Sequence, residues 1–187
     1  GTSYITSGNV TGLNSLLGAT KDGTINLWYF SPSTNYATYR MIIGLGQNTG
    51  KPSAFSFLEH NVTGKKFLYS MGDGTFFTFE NGTTSLTNAW KMYTFVYNND
   101  SLSIYENGSF KLNSSGTDYT LTYGKLFLGN EGLYATDGNT MAYDELGIWN
   151  RSLSATEVAL LYNNGTGCQY GNETCYGILP TPIITLN

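Results

Sequence analysis

The sequence predicts an all-β protein, a sandwich or barrel of short strands with one short helix near residues 154–162. Three observations carry this. Apolar and polar residues alternate in short runs. Turn residues punctuate those runs at Asn61-Val-Thr-Gly64, Asp73-Gly74, Asn81-Gly82, Asn98-Asn99-Asp100 and Asn107-Gly108. Only one segment has helical spacing. Period-two alternation bounded by Asn-Gly and Asp-Gly pairs is strand and hairpin chemistry. Many short strands with almost no helix close into a sandwich or barrel.

The strands follow in chain order. Thr24 to Phe30 puts Ile25, Leu27 and Tyr29 on one face and Asn26, Trp28 and Phe30 on the other. Further runs are Tyr39–Leu45, Ala54–Glu59, Lys65–Met71, Thr75–Glu80, Trp90–Tyr97, Ser101–Glu106, Leu126–Gly129 and Met141–Trp149. The helix is announced by Ser154-Ala-Thr-Glu157. The Ser154 hydroxyl can accept from the Glu157 amide, and the Glu157 carboxylate can reach back to the cap. Val158, Leu161 and Tyr162 then share one face, and Asn163-Asn164-Gly165 ends the helix, which is expected on the sandwich rim.

The 187 residues suit one domain with a tail. The division expected is a sandwich over 1–166 and a C-terminal extension over 167–187. The extension ends in Ile178-Leu-Pro-Thr-Pro-Ile-Ile-Thr-Leu-Asn187, either a linker to a further domain or an edge strand, because prolines exclude a central strand. The chain opens at Gly1-Thr-Ser-Tyr-Ile5, as a mature or trimmed chain would.

Charged residues make up 12 % of the chain, about half the usual share, and the formal net charge is −4 with 9 basic residues. That excludes a nucleic-acid footprint. No apolar run is long enough to span a membrane. Hydroxyls, amides and aromatics take the place of charge, as on extracellular surfaces and surfaces that meet neutral polar ligands. The two cysteines, Cys168 and Cys175, read as a local disulfide loop, with two free thiols as the alternative.

Asn-x-Ser/Thr occurs nine times, at Asn9, Asn61, Asn81, Asn99, Asn107, Asn113, Asn150, Asn164 and Asn172. This is about twice the chance expectation, and most of the sites lie in turn-like stretches. The sites read as carriers of N-linked glycans, or, where Asn-Gly occurs, as hairpin chemistry alone. Glycans and a disulfide together imply an extracellular, secreted or cell-surface setting.

A family resemblance enters at Trp90. Trp90-Lys-Met-Tyr-Thr-Phe-Val-Tyr97, then Leu102-Ser-Ile-Tyr-Glu-Asn-Gly108, resembles paired strands of laminin-G-like domains. Leu126-Phe-Leu-Gly-Asn130 is similar to the next strand of that family. Ala142 to Tyr162 is similar to its closing motif: an Asp-Glu strand, an Asn-Arg-x-Leu-Ser turn and a helix ending in Leu-Tyr. Gly1 to Ile5 and Thr24 to Phe30 resemble its opening strands. The resemblance covers about 1–166 and is strongest over 90–162. It implies the concanavalin A-like jelly roll, a two-sheet antiparallel sandwich.

The resemblance also implies sites. A structural Ca²⁺ held near the closing strand would use Asp144, with Asp137 and Asn139 as alternative ligands. Otherwise Asp144 or Glu145 pairs with Arg151 or caps a turn. Ligands in this family meet a sheet face, where Asn26 and Trp28 are expected to point, with Tyr105 as a further candidate. Sugars stack on exposed rings while amides and carboxylates take their hydroxyls. Trp28 covered by a loop is the alternative.

Catalysis is not expected. Glycoside hydrolases of this fold need two carboxylates across the scissile bond. Asp144 and Glu145 are adjacent and would face opposite ways on a regular strand. His60, the only histidine, has no supporting motif. The reading is a non-catalytic, lectin-like module for carbohydrate binding and cell adhesion, with glycans or surface glycoproteins as partners. The alternative is a structural subunit of an extracellular filament or surface layer, self-assembling as Ile183-Ile-Thr-Leu186 adds to a neighbour's sheet edge. A glycoside hydrolase relative is the lesser alternative.

Overall fold

A computed structural model describes residues 4–6, 22–30, 39–46, 55–60, 66–70, 76–78, 88–98, 101–115, 125–129, 141–168, 182 and 184–186. Among the described residues there are twelve strands and one α-helix. The strands are β1 (Tyr4–Thr6), β2 (Asp22–Phe30), β3 (Tyr39–Gly46), β4 (Phe55–His60), β5 (Lys66–Ser70) and β6 (Phe76–Thr78). They continue with β7 (Trp90–Asn98), β8 (Ser101–Glu106), β9 (Ser109–Ser115), β10 (Lys125–Gly129), β11 (Ala142–Trp149) and β12 (Ile184–Leu186). The helix α1 spans Ala155–Tyr162.

Two antiparallel six-stranded sheets form, ordered β1-β10-β3-β4-β5-β6 and β12-β11-β2-β7-β8-β9. This is the expected sandwich. Its core comes from the inward half of each alternation. Ile25, Leu27 and Tyr29 of β2 and Tyr93, Phe95 and Tyr97 of β7 meet Ile43, Phe57, Leu126 and Leu128 of the other sheet. Phe57 of β4 lies edge-on to Tyr93 at 5.0 Å and to Phe95 at 5.2 Å between ring centroids. Offset and edge contacts of this kind add to simple area burial. The Tyr143 hydroxyl crosses the gap and donates to the Ile42 carbonyl at 3.1 Å.

One placement differs from the sequence reading. The helix does not sit on the rim; it lies over the outer face of the second sheet. Val158 and Leu161 pack there on Trp28, Met92, Val96, Tyr105 and Trp149. The linking turn is pinned from below: Thr24 Oγ1 donates to the Arg151 carbonyl and accepts from the Leu153 amide, each at 2.9 Å. The Ser152 hydroxyl donates to the Tyr97 carbonyl. Of the two readings of the C-terminal segment, linker or edge strand, the edge strand is the one observed: β12 is the outermost strand of its sheet and pairs antiparallel with β11, Ile184 opposite Ile148 and Leu186 opposite Leu146.

The cap is the one expected. The Glu157 amide donates to Ser154 Oγ at 3.3 Å, and the Ser154 amide donates to Glu157 Oε2 at 2.8 Å. Arg151 does not pair with Asp144 or Glu145. Its guanidinium binds Glu157, which holds that carboxyl well below the usual range, at about 2.

Candidate functional site

The helix covers only part of the sheet face. Cross-strand register sets the rows of that face. Asp144, Trp28 and Met92 form one row, and Ala142, Phe30 and Trp90 form the next. Directly opposed residues on one face lie side by side. The first row runs under α1 and the chain that follows it. The second row is left open. Trp28 is 8 % exposed, whereas Trp90 is 44 % exposed.

A cleft of ≈ 210 Å³ lies where the covering stops, lined by Trp28, Trp90, Asp144, Glu145 and the run Gly165-Thr166-Gly167-Cys168. Its floor is the edge of the Trp28 indole. The indole stacks on Tyr162 at 5.8 Å with the ring planes 17° apart. Gly167 presses on the same ring: a Cβ there would stand 3.3 Å from Trp28 Nε1, and the residue has φ +71°. Glycine suits both the positive φ and the close approach. One wall is Trp90, backed by Phe30 at 5.4 Å and 40°.

The opposite wall is a β-bulge. Pairing between β11 and β2 slips between Asp144 and Gly147. Glu145 sits there at φ +49°, in the left-handed region. The Asp144 carboxylate caps the irregular turn, Oδ1 accepting from the Glu145 amide at 2.9 Å. This corrects the expectation that the two carboxylates face opposite ways. The bulge breaks the alternation and brings Asp144 and Glu145 to one cleft. A non-glycine residue in the left-handed region costs energy, and such residues cluster at functional sites.

The other expected ligand residues are elsewhere. Asn26 is 2 % exposed and accepts at Oδ1 from the Thr94 hydroxyl at 2.7 Å, beneath the helix. Tyr105 is 9 % exposed, packed in the cluster under α1 and edge-on to Phe110 at 5.7 Å. Neither meets the cleft, and Trp28 meets it only as floor. The sheet face predicted to be open is roofed over this stretch by Val158, Leu161 and Tyr162. Trp90, Glu145, Gly165, Thr166 and Gly167 are the lining residues that the sequence reading missed.

Asp137 and Asn139, the alternative calcium ligands, lie outside the described residues. Among the described residues no group of three or more His, Cys, Asp or Glu side chains forms. Ca²⁺ takes six to eight oxygens, and backbone carbonyls and water can supply those that Asp144 does not. Cys168 is buried beside the cleft; Cys175 lies outside the described residues. Of the Asn-x-Ser/Thr sites, Asn113, Asn150 and Asn164 are exposed and Asn107 is half-buried. Asn9, Asn61, Asn81, Asn99 and Asn172 lie outside the described residues. So does the catalytically discounted side chain of His60. Among the described residues no helix is long and apolar enough to cross a membrane.

A family model described as the concanavalin A-like lectin/glucanases superfamily, of laminin G type, matches residues 1–159. No curated protein matches the chain in sequence. Among solved structures, the binding domain of botulinum neurotoxin serotype D is similar at TM-score 0.65 and 15 % identity, with 88 % of this chain and 41 % of that one covered. The receptor binding domain of the botulinum neurotoxin C/D mosaic serotype has TM-score 0.64 and 15 % identity, covering 87 % and 40 %. The receptor binding domain of botulinum neurotoxin type G has TM-score 0.54 and 20 % identity, covering 76 % and 38 %. The chain thus spans about two fifths of each structure, and at these identities the likeness is one of fold.

Proposed function

The chain belongs to the concanavalin A-like lectin/glucanases superfamily, and on that footing we propose that it is a non-catalytic glycan-binding module of a secreted or cell-surface protein. The observation that carries this is the exposed Trp90 ring set across a cleft from the Asp144–Glu145 bulge. An exposed indole offers a stacking surface for the C–H face of a sugar ring. Carboxylates and the Thr166 hydroxyl supply hydrogen-bond partners for its hydroxyls. The cleft is smaller than the about 300–1,000 Å³ of drug-sized sites, so it suits one ring of a longer glycan lying across the sheet face. Among the described residues that line it there is no Lys or Arg, which favours neutral over anionic sugars.

The same geometry argues against hydrolysis. A glycosidase sets its two carboxylates on either side of the bond, about 5–9 Å apart. Asp144 and Glu145 are consecutive residues of one wall. The extracellular setting is supported by Cys168, which is buried and disulfide-bonded. The adhesive role and the surface-glycoprotein partners rest on the same proposal.

A neutral and anionic glycan array, run with calcium and with EDTA, tests the reading. Binding to neutral glycans that Trp90→Ala removes is expected. No binding by the folded protein under either condition overturns the proposal, and binding that EDTA abolishes assigns a calcium ion to the Asp144 side.

A further inference from the structure

The cleft has a potential modification site at its lip. The run that forms one side of it, Gly165-Thr166-Gly167-Cys168, is the continuation of the sequon Asn164-Gly165-Thr166. Asn164 itself is exposed and stands in the left-handed region at φ +53° and ψ +29°, one residue past the helix C-cap Asn163. The next residue of the chain is already a wall of the cleft. The segment is held rather than loose. The Thr166 hydroxyl donates to the Asn163 carbonyl at 2.8 Å, and Asn163 Nδ2 donates to the Gly167 carbonyl at 3.1 Å.

The four described sequons differ in what their amides do. Asn107 is half-buried in its hairpin, with Oδ1 accepting from the Met92 amide at 3.0 Å. Asn113 Oδ1 accepts from the Ser101 hydroxyl at 2.6 Å, across the strand pair. Asn150 and Asn164 are both exposed, and among the described residues neither side chain has a hydrogen-bond partner. Only Asn164 adjoins cleft-lining residues.

We infer that Asn164 carries an N-linked glycan and that this glycan governs access to the Trp90 cleft; the second half rests on the glycan-binding reading of that cleft. The donor is an oligosaccharide linked through pyrophosphate to a lipid. The bond from the anomeric carbon to the pyrophosphate oxygen breaks, and the lipid pyrophosphate leaves with the electron pair. The anomeric carbon bonds to Asn164 Nδ2, whose proton passes to a base of the transferase. A glycan is bulky and solvated. Rooted beside Gly165, it covers the mouth of a cleft that admits about one ring.

Tryptophan fluorescence reads this without any ligand. The chain has 3 tryptophans, and Trp28 and Trp149 are buried at 8 % and 1 % exposure. Collisional quenching by acrylamide therefore reports Trp90. Protein secreted from its natural source is examined for site occupancy by peptide mass spectrometry. Its quenching is then compared with that of Asn164→Gly, which removes the sequon while suiting the left-handed backbone. Enzymatic release of the glycan from the folded wild type is the second, mutation-free arm. Asn150→Gln is the control.

The expected results are an occupied Asn164 and a rise of about twofold in the Trp90 quenching constant when the glycan is absent, with no change in the control. An unmodified Asn164 overturns the inference. An occupied Asn164 with unchanged quenching overturns its access role. Altered quenching with no glycan bound by any form sinks the glycan-binding reading but leaves the position of the Asn164 glycan standing.

Discussion

Trp28 and Trp90 stand on neighbouring strands, on the same outer sheet face, in adjacent rows, and have opposite fates. Trp28 is stacked under Tyr162, walled by Gly167 and embedded among Met92, Val158 and Leu161. Trp90 has Phe30 behind it and the cleft in front. Alternation along a strand decides which face a side chain takes. It does not decide whether something later in the chain lies over that face. Here an eight-residue helix supplies the cover, and its end marks where the cover stops.

The largest expected difference between the two is in stability. Trp28→Ala empties a buried site and should cost about 3–5 kcal/mol. Trp90→Ala should change stability by only about 0.5 kcal/mol, as for a surface residue. Chemical denaturation of both variants checks this, and equal losses would contradict the assignment of floor and wall.

Next is the hairpin that supports the helix. A Cβ at Gly108 would lie 2.9 Å from Tyr162 Cβ, and the residue has φ +74°. Gly108→Ala should therefore cost about 2 kcal/mol and loosen the stack of Tyr162 on Trp28, visible in near-ultraviolet circular dichroism. Under the same helix, Thr94→Val leaves the buried Asn26 carbonyl without its hydroxyl donor. A loss of about 1–3 kcal/mol is expected by thermal unfolding, with Thr94→Ser close to wild type.

The smallest effects belong to the cap. Ser154→Ala should cost about 1 kcal/mol. The Arg151–Glu157 pair is part-exposed, so it adds less than about 1 kcal/mol. Glu157 is lowered from 4.5 to about 2 in the folded protein. Its contribution is present above pH 4.5 and is lost as pH falls through about 2. Unfolding of wild type and Glu157→Gln should converge over that window and remain apart above it.

How far the sequence reached follows from the kind of signal each feature carries. β2, β7 and β8 were legible because strong alternation lies between turn residues. The cap was legible because Ser154 and Glu157 sit at the one spacing at which both bonds close. β9 was missed: Ser109-Phe-Lys-Leu-Asn-Ser-Ser115 is polar, lies at the sheet edge and leaves Phe110 exposed. The bulge left no signal, since Glu145 is not a residue that announces a positive φ. Asp144 was found through the closing motif, whereas its partner wall, Trp90, was read only as the start of a strand. Placing the two across one cleft needs the register of three strands and the path of the chain after the helix. Those are tertiary facts.

The central claim is that Trp90, and not Trp28, meets the ligand. Its most direct test is calorimetric titration of a neutral oligosaccharide, chosen from the array, into wild type, Trp90→Ala and Asp144→Asn. Loss of affinity of at least about tenfold in Trp90→Ala, with an unchanged unfolding midpoint, is predicted. Wild-type affinity in a folded Trp90→Ala would contradict the account and move the binding site off this cleft.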